Sequence, residues 1–217
     1  TQGRIGALAE AIEGIGTYQR QLQQLVDSGG EIWERDRLMG LEGICARLYY
    51  QALRHYFPES WGFSGRNRRP PLDPINALLS WGYGVLLSRV FAAAVQAGLD
   101  PYLGFFHAVE PYRPNLVLDL MEEFRPVLVD QAGIKLVEQG VLGPEDFEPS
   151  PEGEGIWLGP VAKRLLLAEL ERQLGTAVTY VPQGRKLRLR QILVEQARSV
   201  GRCLVERRLD YEAFGLK

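Results

Sequence analysis

Hydrophobic residues recur at spacings of three to four along most of the chain, which is the pattern of amphipathic α-helices. Six apolar positions of the first segment have this spacing: Ile5, Leu8, Ile12, Ile15, Leu22 and Leu25. They predict a helix from Gly3 to about Asp27, which Gly29-Gly30 ends. A second helix is predicted from about Glu31 to Tyr56, because Pro58 closes the pattern.

The third predicted helix is strongly apolar and carries signals at both ends. A loop rich in Gly, Arg and Pro, from Glu59 to Pro71, comes before it. Asp73 is expected to be its N-cap and Pro74 its first residue. The helix is expected to end at about Ala97, with Gly98 as the C-cap.

Three further helices are predicted in the second half of the chain: Pro114 to Glu138, Gly159 to Leu174 and Lys186 to Arg208. The segment LGPEDFEPSPEGEG, before the second of these, indicates an exposed acidic loop. Six helices with few alternating β-branched segments predict an all-α multi-helix bundle. We expect residues 1–217 to form a single helical domain.

Composition restricts the class of protein. With 46% hydrophobic and 24% charged residues, the chain is typical of a globular protein. No apolar stretch approaches the roughly 20 residues that cross a bilayer, and no signal peptide opens the chain, so we expect a cytoplasmic protein without a membrane partner. Cys45 and Cys203 are the only cysteines, which excludes a disulfide framework and a thiolate zinc motif.

Charge is distributed unevenly, although the net charge is only -2. Residues 108–155 contain 11 acidic and 3 basic residues, whereas residues 185–208 contain 8 basic and 2 acidic residues. Such polarity can place an acidic metal-binding pocket beside a phosphate-binding surface, although charged helix faces are more often only solvated.

One helical segment carries a candidate metal site. Asp119 and Glu122 are three residues apart and therefore share a helical face, and His107 comes from the preceding loop. Carboxylates with an imidazole suit Mg²⁺ or Mn²⁺ better than structural zinc. The alternative is a solvated helix face, with His107 held in a hydrogen bond.

Glu42 is a second candidate because it lies within an apolar helix. The small residues Gly40, Gly43 and Ala46 in the same helix predict close approach of another helix or of a ligand. A carboxylate there is costly unless it is paired or bound to a metal. The alternative is an ion pair with a neighbouring arginine of the same helix.

Two basic segments are candidates for binding phosphate. Arg66, Arg68 and Arg69 lie in a loop stiffened by proline, and a second cluster extends from Arg185 to Arg190. Arginines can bind phosphates with two hydrogen bonds each, or they can simply keep a loop soluble. The Walker, Rossmann, GxSxG and HExxH motifs are absent from the sequence, so nothing supports an ATPase, dehydrogenase, α/β-hydrolase or zincin.

Four ordered segments resemble a known family: LMGLEGICARLYYQAL, FSGRNRRPPLDPINALLSWGYGVLLSRV, AGLDPYLGFFH and RPNLVLDLMEEFRPVLVD. They cover roughly Leu38 to Asp130, and weaker agreement extends to Tyr211 and Phe214. In this order they are similar to the Cas-one family, the integrase subunit of CRISPR spacer acquisition. Four motifs in family order are far more specific than any one of them.

The resemblance implies a catalytic metal site formed by Glu42, His107 and Glu122, with Asp119 as an accessory ligand. Many family members have aspartate where Glu122 stands. The implied activity is Mg²⁺- or Mn²⁺-dependent cleavage and strand transfer of DNA. Arg113 and the arginines of the 66–69 loop are candidates for contacts with the DNA backbone.

The implied partners are double-stranded and branched DNA, a Cas-two family subunit, and a second copy in a homodimer of the full-length protein. Family members form that dimer through an N-terminal β-rich domain. The chain begins at Thr1 without that domain, so we expect it to be the catalytic helical part of a longer protein. Two alternatives stay open: a non-catalytic helical module that binds DNA or a partner protein, and a different metal-dependent phosphodiesterase acting on branched nucleic acid.

Overall fold

The structure is a computed structural model, and it describes residues 2–27, 35–67, 69–105, 112–151, 153–208 and 210–215. In this part of the chain, seven α-helices account for most residues: α1 Gln2–Asp27, α2 Arg35–Leu53, α3 Pro74–Gln96, α4 Asn115–Met121, α5 Gln131–Glu138, α6 Pro160–Leu174 and α7 Leu189–Glu206. Four short strands are also present: β1 Phe147–Pro149, β2 Ile156–Leu158, β3 Ala177–Tyr180 and β4 Arg185–Arg188. The predicted helical class is therefore confirmed, with short strands added to it.

Contacts divide the chain into two compact units. The first comprises residues 1–76 and 149–156, and the second comprises residues 77–148 and 157–217. In the first unit α1 and α2 pack against each other. A Cβ atom on Gly14 would lie 2.9 Å from Leu48 Cδ1, so the absence of a side chain at Gly14 allows this close approach.

The start of α3 is fixed by a buried asparagine in the first unit. Asp73 Oδ1 accepts the backbone N–H of Asn76 at 2.8 Å, which confirms Asp73 as the N-cap. The Asn76 side chain, wholly buried, also bonds to the loop before the helix. Its Oδ1 accepts from Arg66 Nη1 at 2.8 Å and from the Asn67 N–H at 2.9 Å, and its Nδ2 donates to the Gly65 carbonyl at 2.8 Å.

The rest of α3 is a core helix of the second unit. By length and composition alone α3 could cross a membrane, but its strongly apolar character is explained by burial: Leu78, Leu79, Val90 and Ala94 are almost completely inaccessible to solvent. The helix ends where predicted. Gly98 has a positive φ of 78°, as expected for a C-cap glycine.

The helix predicted from Pro114 to Glu138 is interrupted, so that prediction is wrong. α4 ends at Met121, residues 122–124 form a turn, and Arg125–Asp130 is a π-helix that leads into α5. Pro126 provides the physical reason, because it lacks an N–H and its ring collides with the carbonyl four residues earlier. A wider turn accommodates the proline.

The helix predicted from Lys186 begins later than expected. Residues 185–188 form β4, which pairs antiparallel with β3, and α7 begins only at Leu189. Leu187 is buried between the exposed Lys186 and Arg188, which is the two-residue alternation of a strand. The predicted acidic loop also differs in part, because it contains β1.

Candidate functional site

Asp119 and Glu122 lie at the end of the short helix α4. Asp119 is half-buried within the helix, and Glu122 is exposed and immediately follows Met121. The backbone at Glu122 is still helical, with φ -56° and ψ -38°. The two carboxylates are therefore one turn apart, with Cβ atoms about 5–6 Å from each other.

Asp119 holds the preceding loop against α4. Its Oδ2 accepts the backbone N–H of Phe105 at 2.7 Å. Earlier in the same loop, the Pro101 carbonyl accepts the N–H of Leu116 at 3.1 Å. The segment 101–105 is thus attached to the helix at two points, and Asp119 is one of them.

Gly104 makes this attachment possible. A Cβ atom at Gly104 would lie 2.6 Å from Asn115 Cβ and 2.9 Å from Asp119 Oδ2, which are distances that no side chain tolerates. Asn115 itself is completely buried. Within the part of the chain that the structure describes, neither its Oδ1 nor its Nδ2 has a hydrogen-bond partner, which is costly for a buried amide.

Glu122 forms an ion pair that sequence reasoning did not identify. Arg125 Nη1 lies 2.6 Å from Glu122 Oε1 and 2.8 Å from Oε2. The guanidinium also lies 5.0 Å from the centre of the Tyr83 ring, and Tyr83 donates its hydroxyl to Asp130 Oδ1 at 2.6 Å. In the sequence, the three-residue spacing of Glu122 and Arg125 is the pattern that could have predicted this helical ion pair.

Glu42 belongs to the first unit, where it is an exposed residue of α2. Among the described residues, a Cβ atom at Gly40 or Gly43 would meet no atom within 4 Å. No other described helix therefore approaches these two glycines closely, and the alternative of a ligand stays a prediction. One turn further along, burial and then the charge of Glu42 raise the pKa of Cys45.

His107 lies outside the described residues, so the predicted carboxylate–imidazole set stays a prediction. Over the described ranges, no group of three or more His, Cys, Asp or Glu side chains is arranged to hold a metal ion. The residues of the predicted set that the structure describes are Glu42, Asp119 and Glu122. Only Asp119 and Glu122 belong to the same unit.

The predicted DNA-binding arginines have different environments. Arg66 is half-buried and donates to Asn76, as described above. Arg69 is exposed and Arg113 is half-buried. Arg68 lies outside the described residues. Contact of these arginines with DNA stays a prediction.

A largely apolar cavity of about 650 Å³ lies beside Asp119. Its lining combines mostly apolar residues with two acidic and two basic side chains: Phe105, Leu116, Asp119, Leu120, Glu123, Val200, Cys203, Leu204, Arg207, Arg208 and Tyr211. The end of α7 and the segment after it therefore line the same cavity as Asp119 of α4 and Glu123.

The fold and these motifs define a helical domain with acidic residues at the end of a short helix. The family described as CRISPR associated protein Cas1 matches residues 2–172, and the chain belongs to this family. It is 41% identical over 171 residues to a CRISPR-associated exonuclease Cas4/endonuclease Cas1 fusion of Rhodospirillum rubrum, covering 76% of this chain and 29% of the relative.

A second relative, CRISPR-associated endonuclease Cas1 3 of Thermus thermophilus, is 37% identical over 218 residues. That match covers 94% of this chain and 65% of the relative. The chain therefore spans less than two thirds of the length of these curated relatives. The family membership expected from the four ordered motifs is confirmed.

Solved structures share the fold. The chain superposes on a chain of a Cas6-RT-Cas1–Cas2 complex with a TM-score of 0.77 at 28% identity, covering 99% of this chain and 24% of the other. It also matches a casposase bound to integration product with a TM-score of 0.76, covering 99% and 65% of the two chains. At 24% identity, the second likeness concerns the fold alone.

Proposed function

We propose that this chain is the catalytic domain of a CRISPR spacer integrase, a divalent-metal-dependent DNA endonuclease that also transfers DNA strands. One observation carries the proposal. The Asp119 carboxylate holds the backbone N–H of Phe105 at 2.7 Å, and His107 follows Phe105 by only two residues. The loop that would supply the imidazole is thus attached at Phe105 to α4, which carries Asp119 and immediately precedes Glu122.

Chain connectivity supports the proposed combination of His107 with Asp119 and Glu122. Two residues span at most about 7 Å, and His107 follows Phe105, the residue that Asp119 holds, by two residues. The proposed ligands are Glu42, His107 and Glu122, with Asp119 as an accessory ligand. Carboxylate oxygens and an imidazole nitrogen fit a hard divalent cation such as Mg²⁺ or Mn²⁺.

The residues of the chain have distinct proposed roles in breaking and forming a phosphodiester bond. A bound cation would polarise a phosphate oxygen and lower the pKa of the attacking hydroxyl. Glu122 is exposed enough to exchange its contact with Arg125 for another cation. Asp119 positions the loop as well as adding negative charge. The nucleophile is water in nicking and a DNA 3′-hydroxyl in strand transfer, and the leaving group is the 3′-oxygen of the broken strand.

The proposed partners are double-stranded and branched DNA, a Cas2-family subunit and a second copy of the full-length protein, in the cytoplasm. The name of one similar structure supports the Cas2 partner, because it is a complex containing Cas2. Arg69 and Arg113, together with Arg66 and Arg68, are the proposed contacts with the DNA backbone. Such contacts set affinity and its salt dependence rather than sequence preference.

The test is a disintegration assay, in which a branched DNA that mimics a half-integrated spacer is resolved. The purified chain is assayed in Mn²⁺ and in EDTA, beside Glu122→Gln and His107→Ala. Glu145→Gln, an exposed carboxylate of the same unit, is the control. We expect metal-dependent resolution by the parent and the control, and loss of at least about a hundredfold in both site variants.

Two other outcomes would contradict the proposal. A parent chain that neither resolves the DNA nor binds Mn²⁺ in calorimetry would favour a non-catalytic module that binds DNA or a partner. Equal activity on generic branched junctions and on repeat-containing DNA would favour a different phosphodiesterase.

A further inference from the structure

Glu123, the residue after Glu122, is half-buried and contacts residues near the end of the chain. Its Oε1 accepts the hydroxyl of Tyr211. Its Oε2 accepts the backbone N–H of Phe214 at 2.9 Å and Nε2 of Gln196 at 2.8 Å. Three donors therefore converge on one carboxylate, and two of them come from the segment 210–215, here called the C-terminal strap.

Gln196, a fully buried residue of α7, also bonds to the strap beside Glu123. Gln196 Nε2 also lies 3.1 Å from Tyr211 Oη and donates to the Glu212 carbonyl at 3.1 Å. Its Oε1 accepts the hydroxyl of Tyr180, on β3, at 2.6 Å. Gln196 thus fixes the strap against α7 and against Glu123.

Phe124, the next residue of the turn 122–124, also contacts the strap. The ring of Phe124 stacks on the ring of Phe214, with centroids 5.2 Å apart and planes at 16°. Both rings are buried. The strap therefore contacts both residues that immediately follow Glu122.

The backbone at Glu122 needs this support because no continuous helix fixes it. α4 has only seven residues, and a helix of that length is not stable without tertiary contacts. The turn 122–124 then separates α4 from the π-helix that begins at Arg125. Contacts made by Glu123 and Phe124 therefore hold the backbone next to Glu122, whose carboxylate also pairs with Arg125.

We propose that the C-terminal strap is a positioning element for Glu122, with Tyr211 and Phe214 as positioning residues. This inference rests on the proposed function, in which Glu122 is a cation ligand. Residues that orient a ligand without touching the cation typically change metal affinity or activity by about 10- to 100-fold when they are removed. The strap acts on Glu122 through its chain neighbours Glu123 and Phe124.

The same contacts keep Tyr211 a hydrogen-bond donor. Burial, and then the charge of Glu123, raise the pKa of the Tyr211 phenol. The phenol therefore keeps its proton at neutral and mildly alkaline pH. Tyr211→Phe removes this donor and keeps the ring.

The experiment compares Tyr211→Phe with Tyr180→Phe. Tyr180→Phe also removes a hydroxyl that bonds to Gln196, but that hydroxyl does not bond to Glu123. For Tyr211→Phe we expect about tenfold weaker Mn²⁺ binding in calorimetry, a lower kcat on branched DNA, an unchanged KM for DNA, and partial rescue by higher Mn²⁺. For Tyr180→Phe we expect a lower melting temperature with Mn²⁺ affinity unchanged.

A second measurement does not depend on catalysis. Amide hydrogen exchange of residues 121–125 should be at least about tenfold faster in Tyr211→Phe and unchanged in Tyr180→Phe. Unchanged exchange in Tyr211→Phe would overturn the positioning role. An Mn²⁺ affinity of Tyr211→Phe within twofold of the parent would also overturn it. An equal loss of Mn²⁺ affinity in Tyr211→Phe and Tyr180→Phe would do the same. An inert parent that binds no Mn²⁺ would instead refute the proposed function, which separates the two failures.

Discussion

Arg125 forms an ion pair with Glu122 one helical turn before it, and Nη1 lies 2.6 Å from Oε1. The guanidinium of Arg125 therefore pairs with the carboxylate that binds a divalent cation in the proposed function. Arg125 is mostly buried, whereas Glu122 is 41% exposed. A cation arriving from solvent would have to compete with this guanidinium.

Removing that competitor should strengthen cation binding. We expect Arg125→Gln to bind Mn²⁺ about three- to fivefold more tightly in the absence of DNA, because a partly exposed ion pair contributes at most about 1 kcal/mol. Isothermal calorimetry measures the change. Arg198→Gln breaks a pair of the same three-residue spacing with Glu195 and should leave Mn²⁺ affinity unchanged. Weaker binding in Arg125→Gln would contradict the assignment of Glu122.

Gly104→Ala should separate the 101–105 loop from α4. The new Cβ atom would lie 2.6 Å from Asn115 Cβ, so the loop backbone has to move, at a cost of about 1–3 kcal/mol. Denaturant unfolding measures the stability, and the disintegration assay should show reduced activity. Gly84→Ala is the matched control, because its Cβ atom would meet nothing within 4 Å; alanine there should raise stability by about 0.5–1 kcal/mol. Full activity of Gly104→Ala would show that this loop contact is dispensable.

Stability should fall in acid because of Glu169. Hydrogen bonds from Arg172 and Lys135 lower the pKa of this buried carboxyl from 4.5 to about 2. A lowered pKa in the folded state stabilises the protein above the unfolded pKa, and this stabilisation is lost as pH falls from about 5 to about 2. The shift corresponds to about 3 kcal/mol, and solvent screening of the half-exposed Arg172 reduces this to about 1–2 kcal/mol.

Unfolding measured from pH 7 down to pH 2.5 tests this expectation. Glu169→Gln should be less stable at neutral pH, and its stability should decline less steeply below pH 5. Glu171→Gln removes an exposed carboxylate that pairs with Arg89, and its pH profile should match the parent. Identical slopes for Glu169→Gln and the parent would contradict the assignment.

Asn76 should control the order of the basic loop. Asn76→Ala removes the hydrogen bonds to Arg66, Asn67 and Gly65, and it leaves buried polar groups without partners at a cost of about 2–4 kcal/mol. Trypsin should then cleave the loop faster. Among the described residues, the Asn67 side chain accepts one exposed bond of 3.2 Å from the Leu72 N–H, so Asn67→Ala should cost less than about 1 kcal/mol. Equal cleavage rates in both variants would rule out this role of Asn76.

Local sequence determined the helices that were predicted well. The spacing of apolar residues in α1 and α6 gave nearly correct bounds, because one helical face follows from neighbouring positions alone. Asp73 and Gly98 cap α3 as predicted, since a cap is formed by residues within one turn of the helix end. The order of four motifs was likewise sufficient to identify the family.

Tertiary structure decided what depends on residues distant in sequence. The strand β4 forms because residues 185–188 pair with β3, with Leu187 opposite Val178, whereas a helix was predicted from Lys186. Asp119 meets Phe105 across 14 residues, and Glu123 meets Tyr211 across 88. Periodicity reports which face of an element is apolar, but only the packed chain selects which distant donor reaches a given carboxylate.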